Sequence, residues 1–182
     1  MRVTPTSIAD VLVIEPKVFS DSRGFFFESF NQQEFNAATG TNFSFVQDNH
    51  SRSSHGVLRG LHYQLGRPQG KLVRVVRGSV YDVAVDIRPL SSTFGKWIGI
   101  ELNAEENRLL WVPPGLAHGF LVLSESADCL YKTTDYYFPH LEQCICWDDP
   151  QLGIDWPMKN RPKLSVKDNT GNAFKNAQLY ET

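Results

Sequence analysis

Short apolar or alternating runs recur about every eight to twelve residues along the chain, set apart by Gly, Pro, Asn and Asp. The clearest are Val11–Glu15, Gly24–Ser29, Phe43–Gln47, Lys71–Arg77, Ser79–Ile87, Lys96–Leu102, Arg108–Val112, Gly119–Leu123, Ala127–Thr134 and Gln143–Trp147. Runs of this length and pattern predict β-strands. One segment breaks the pattern: Gln32–Thr39 reads as a helix, capped by Asn31 with Glu34 three positions on and stopped by Gly40. Many short strands with turn signals predict an all-β sandwich or jelly-roll barrel with a few short helices. No repeat, low-complexity tract or linker interrupts residues 1–182, which read as a single domain large enough to bury a core.

In Ser79–Ile87, Tyr81, Val83, Val85 and Ile87 share one face, and Val80, Asp82, Ala84 and Asp86 share the other. Carboxylates on one face either meet solvent, the commoner case, or line a polar barrel interior.

Composition narrows the classes. Hydrophobic residues make up 41% and charged residues 21%, the balance of a globular protein. The formal net charge is -2, so nothing global draws nucleic acid or an anionic membrane, and an anion site must be a local cluster of cations. Cys129, Cys144 and Cys146 are odd in number and form no Cys-x-x-Cys pair. They argue against a disulfide framework and a zinc site, and fit a reducing cytoplasm. Arg2 and Asp10 do not suit a signal peptide. The longest uncharged run, Leu109–Ser124, is broken by Pro113, Pro114 and Gly115 and is too short to span a bilayer.

The chain resembles the two-part metal signature of cupin-type barrels, with decisive changes. Gly56 and His62 follow the first part until Gln64 replaces its second histidine, and Lys71 stands where the glutamate would be. Pro113, Gly115 and His118 fit the second part. A charged lysine has three donors and no lone pair, so it cannot ligate as glutamate does and it repels a cation. A site of His62, Gln64, Lys71 and His118 is therefore not expected to hold a divalent metal. Lys71 could instead place a fixed cation near a carbonyl oxygen, where it would stabilise an enolate.

Several linked segments extend the resemblance: Phe19–Phe30 (FSDSRGFFFESF), Phe45–Ser51 (FVQDNHS), Val57–Gln64 (VLRGLHYQ), Gln69–Val73 (QGKLV), Asp82–Arg88 (DVAVDIR), Val112–Phe120 and Tyr131–Tyr137. In this order they are similar to the dTDP-4-dehydrorhamnose 3,5-epimerase family, over about Ile8–Asp168. The resemblance implies a cupin-like jelly-roll barrel, a homodimer and a role in making dTDP-L-rhamnose for surface polysaccharide. It implies a dTDP-linked 4-keto-6-deoxy sugar as substrate and no cofactor. The absence of a G-x-G-x-x-G pattern fits, since epimerisation is redox-neutral.

On this resemblance His62 is the base, paired with Asp168, and Tyr131 is the proton donor on the opposite face. Lys71 lies by the C4 oxygen. Histidine suits a base near neutral pH because its unperturbed pKa is about 6.5. The same match makes Arg23, Arg59 and Lys167 substrate-binding cations, with arginine suited to the diphosphate. Glu28, Gln47, Asn49 and Glu142 match other ligand contacts, and Tyr137 an aromatic that stacks on the thymine. His118 and Asp82 match supporting pocket residues, and Phe19–Phe30 a region that reaches a neighbouring subunit's site. Three alternatives stand beside this reading: a single-site C3 or C5 epimerase, a metal-dependent cupin and a non-catalytic sugar-nucleotide binding module.

Overall fold

The computed structural model describes residues 1–180. The strands are β1 (Arg2–Pro5), β2 (Leu12–Glu15), β3 (Phe19–Asp21), β4 (Gly24–Phe26), β5 (Gln47–Ser54), β6 (Leu58–Gln64) and β7 (Lys71–Arg77). They continue with β8 (Ser79–Asp86), β9 (Trp97–Asn103), β10 (Leu109–Val112), β11 (Leu116–Val122), β12 (Ser126–Thr133) and β13 (Glu142–Cys144). The α-helices are α1 (Gln32–Thr39) and the single turn α2 (Val166–Asn169).

Two antiparallel sheets face each other in a cupin-like jelly roll. One has the order β1-β2-β10-β7-β12-β5, the other β13-β6-β11-β8-β9, and β3-β4 form a separate hairpin. The core between the sheets holds Val73, Val75, Leu110 and Val112 from the first, and Val80, Ala84, Leu116 and Phe120 from the second. Both outer faces are covered too. Phe35 of α1 packs edge-on against Trp111 over the first sheet. Ile145, Trp147, Trp156 and Phe174 from the C-terminal segment cover Val83, Val85 and Leu121 of the second. A strand buried on both faces cannot alternate cleanly, so β8 carries apolar residues on its outer face and a mixture on its inner one. Asp82 and Asp86 are both fully buried, so the inward carboxylates of β8 do not meet solvent.

The helix has the predicted bounds. Asn31 Oδ1 accepts from the amides of Gln33 and Glu34, and Gly40 closes the helix at φ 70°. The strand predictions need correction at several ends. Residues 43–46 are not a strand: Phe45 packs on Trp111, and β5 runs from Gln47 through the polar QDNHSRSS instead. Gly24–Ser29 stops at Phe26, Gln143–Trp147 shifts to Glu142–Cys144, and the strand expected at Gly119 begins at Leu116. The sequence pattern did not reveal β6, because Arg59, Gly60 and His62 interrupt its apolar residues.

Candidate active site

The interior of the sandwich is apolar at one end and polar at the other, where a cavity of about 320 Å³ opens. It is walled by both sheets. From the first come Gln47, Asn49 and Ser51 of β5, Lys71 of β7, and Tyr131 and Thr133 of β12. From the second come Arg59, His62 and Gln64 of β6, His118 and Phe120 of β11, and Glu142 of β13. Alternation explains the polar wall of β5: Gln47, Asn49 and Ser51 share a face.

His62 and His118 sit directly opposite each other on β6 and β11. Each is tied to a carboxylate. His62 Nε2 lies 2.6 Å from Asp168 Oδ1, and His118 Nε2 lies 2.7 Å from Asp82 Oδ1. Asp168 is buried on α2, and it also receives the Ser165 hydroxyl at 2.6 Å and the Gly60 amide at 3.2 Å. Burial alone would raise its pKa, but the bonds from His62 and Ser165 and the charge of His62 pull it down to about 2. An ionised carboxylate only accepts, so His62 donates from Nε2 whether the ring is charged or neutral, and in the neutral ring Nδ1 keeps the free lone pair.

The close approach of β6 and β11 depends on glycine. Gly60 has φ +124°, and a Cβ there would stand 2.6 Å from Gly119 Cα. The same residue donates its amide to Asp168, so the strand contact and the His62 dyad are built together.

Lys71 is buried, and burial lowers its ammonium to about 8 even though the charges of Glu142 and Asp82 favour the protonated form. The Tyr131 phenol is raised, chiefly by burial, so it holds a proton at neutral pH. Arg59 is steadied by its Nε–H bond to Ser53 Oγ at 2.9 Å. Glu142 accepts from Lys167 Nζ and Tyr137 Oη, each at 2.7 Å. Burial would raise the Glu142 carboxyl, and these two bonds hold it below its ordinary value. Tyr137 is pushed up to about 12, first by that bond and then by burial.

The donors do not suit a divalent metal. Gln64 spends its amide nitrogen on the carbonyls of Arg67 and Tyr136, and its oxygen on the amide of Phe138. Lys71 fills the place of a ligating carboxylate. His62, Cys144 and Asp168 bring donor atoms within 4.8 Å of one another. Yet His62 and Asp168 are bonded to each other, and burial pushes the Cys144 thiol up to about 12, which keeps it protonated.

The structure thus brings together twelve of the fourteen site residues expected from the sequence, ten on the cavity wall, Asp168 behind His62 and Asp82 behind His118. Arg23 and Glu28 are not on that wall. Arg23 lies in the exposed β3–β4 hairpin, forked onto Asp21, and Glu28 accepts a bond from Asn31 at 3.4 Å. Sequence reasoning missed Ser51, Tyr63, Gln69, Phe120 and Thr133 of the wall. Ser51 carries a signal that could have found it, since it follows Gln47 and Asn49 at a spacing of two.

The family model described as dTDP-4-dehydrorhamnose 3,5-epimerase matches residues 5–176. A protein of that description from Pseudomonas aeruginosa is 58% identical over 180 residues, 99% of each chain. Among solved structures, a dTDP-6-deoxy-D-glucose-3,5-epimerase from Legionella pneumophila in complex with dTDP-4-keto-L-rhamnose superposes with a TM-score of 0.96. It shares 49% identity and covers 100% of this chain and 98% of its own. A 3'-monoepimerase from Streptomyces bikiniensis in complex with dTDP-quinovose superposes at 0.90 with 36% identity, covering 97% and 91%.

Proposed function

The chain belongs to the dTDP-4-dehydrorhamnose 3,5-epimerase family, and on that premise we propose that His62 and Tyr131 carry out the two halves of each inversion. It is an isomerase that converts dTDP-4-dehydro-6-deoxy-D-glucose to dTDP-4-dehydro-L-rhamnose. The C4 ketone acidifies the protons on C3 and C5. His62 Nδ1 takes one as the electron pair moves to the C4 oxygen, and Lys71 stabilises the enolate that forms. Tyr131 returns a proton from the other side. The single observation that carries this reading is that His62 and Tyr131 hang from opposite sheets and line one cavity. An inversion needs its base and its acid on opposite faces of the sugar.

The remaining polar groups bind. Arg59 and Lys167 answer the diphosphate, and Tyr137, Gln47, Asn49 and Glu142 hold the nucleoside end. We extend the proposal to a homodimer of single-domain chains. Phe25 is 62% and Phe26 68% exposed on a hairpin that also carries Arg23. Aromatic side chains so placed suit insertion into a partner, which would bring Arg23 and Glu28 to the partner's cavity. The three cysteines are free, and no helix among the described residues is long and apolar enough to cross a membrane. A cytoplasmic location for this enzyme of nucleotide-sugar synthesis is consistent with both.

Turnover in deuterated water tests the chemistry. Wild type is expected to place solvent label at both C3 and C5, and His62→Asn at neither. Label at one carbon alone would replace this reading by single-site epimerisation, the activity named for the Streptomyces bikiniensis protein.

A further inference from the structure

Two loops meet at the mouth of the cavity. Residues 65–70 join β6 to β7, and residues 134–141 join β12 to β13. They are zipped together: the Gly70 amide donates to Thr134 Oγ1 at 2.8 Å, the Thr134 amide to Gly70 O at 3.0 Å, and Gln69 Nε2 to Asp135 O at 2.8 Å. Tyr137 stands on the second loop and is 47% exposed. A tyrosine on an exposed loop is ordinarily mobile, and holding it in one place costs conformational entropy.

The fold meets that cost from both sides of the residue. Gln64 of β6 is buried, and its side chain is spent on the loops. Its Nε2 donates to Arg67 O at 2.7 Å and to Tyr136 O at 3.2 Å, and its Oε1 accepts from the Phe138 amide at 2.8 Å. The Tyr137 amide itself donates to Gln47 Oε1 of β5, in the opposite sheet, at 3.0 Å. Arg67 repeats the grip further out. Its Nε and Nη2 fork onto the Asp135 carboxylate at 2.7 and 2.8 Å, and its guanidinium lies 4.8 Å from the centre of the Phe138 ring. Asp135 Oδ1 in turn takes the Tyr136 amide at 2.8 Å. An exposed ion pair adds little to stability, but a forked one fixes direction. Successive backbone groups are thus pinned around a side chain that stays open to solvent.

We infer that Gln64 and Arg67 are positioning residues that clamp residues 135–138 on either side of Tyr137 and so hold its ring ready at the cavity mouth for the flat base of the nucleotide. Gln64 stands where a metal-binding cupin has its second histidine, and here that position orders a loop instead. A ring held before the ligand arrives loses less freedom on binding, so the clamp acts on affinity and leaves the proton transfers at His62 and Tyr131 alone. The inference rests on the reading of Tyr137 as part of the nucleoside end.

Arg67→Ala removes the fork and the contact with Phe138. Its KM for the 4-keto sugar nucleotide and its Kd for dTDP by isothermal titration are expected to rise about 3- to 10-fold. Its kcat should stay native, the pattern of lost binding that ground and transition states share. The Arg67 side chain is 52% exposed, so thermal melts should show the variant folded. Gln64→Met strips the inner bonds and should show the same split. Should it fail to fold, the Arg67 variant decides alone. In a Tyr137→Ala background, Arg67→Ala should weaken dTDP binding no further, because two residues acting through one contact are not additive. A native Kd in Arg67→Ala, or a loss undiminished in the Tyr137→Ala background, would overturn the clamp. Native dTDP binding in Tyr137→Ala alone would instead overturn the reading of Tyr137 beneath it.

Discussion

A histidine that takes a proton from carbon must present a lone pair to the sugar and keep its N–H elsewhere. The bond from Nε2 to Asp168 divides the ring in this way. In Asp168→Asn the amide can offer an N–H to Nε2 and stabilise the other tautomer, so kcat should fall about 100- to 10,000-fold with substrate still bound. Isothermal titration with the dTDP moiety would separate binding from turnover. Tyr131→Phe probes the other half of the step. Proton abstraction survives in it, so deuterium should still enter from the His62 side, while inverted product falls about 100-fold or more. Inverted product at the wild-type rate would remove Tyr131 from the mechanism. His62, Lys71 and His118 were legible from spacing, because two short motifs bring them to one barrel mouth. Asp168 was not, since 106 residues separate it from His62 and nothing local marks an aspartate in SVKD. Only the family resemblance named it.

Helix α1 shows what local chemistry can encode. Asn31 satisfies two first-turn amides and Gly40 takes the left-handed conformation that ends the helix, so both bounds could be read from the chain. The edge strand β5 shows the opposite. Its inner positions line the polar cavity, so it contains no apolar residue at all, and the aromatic residues just before it lie outside the sheet and cover Trp111. A hydrophobic pattern cannot find a strand whose buried face is polar. The same conflict hides β6, where a glycine interrupts the run for a reason that is not local. At Gly60 a side chain would meet the β11 backbone and would also be strained by φ +124°. Gly60→Ala is therefore expected to destabilise the fold by about 2 kcal/mol or more and to cost activity beyond that, because the shifted amide no longer meets Asp168. Denaturant melts with parallel kinetics would test this. Native stability with native kcat would show that β6 and β11 can separate without disturbing the dyad.

Across the whole molecule, two buried carboxylates, Asp168 beside His62 and Asp86 at the end of β8, are kept ionised by donors that the fold supplies. Asp168 is held at about 2 by bonds from His62, Ser165 and the Gly60 amide, against the opposing effect of burial. Asp86 is likewise at about 2, where burial is outweighed by bonds from Arg88, Ser91 and Thr93. In the unfolded chain both return to about 3.8. Their folded values are depressed, so the unfolded state binds protons first as the pH falls. Their stabilisation is complete above about pH 4 and is lost between there and pH 2, at about 2 kcal/mol for each group. These two groups alone should lower the melting temperature by about 10 °C over that interval. The sites differ in what fails with them. Asp86 ties β8 to the Arg88 turn and, through the Arg88–Asp10 ion pair, to the N-terminal segment. Asp168 sits on a single turn next to the His62 ring. Asp86→Asn should therefore lower stability at pH 7 and flatten its acid dependence while the solvent-exchange rate per folded molecule stays native. A variant that lost exchange in proportion to stability would show that the two sites are coupled.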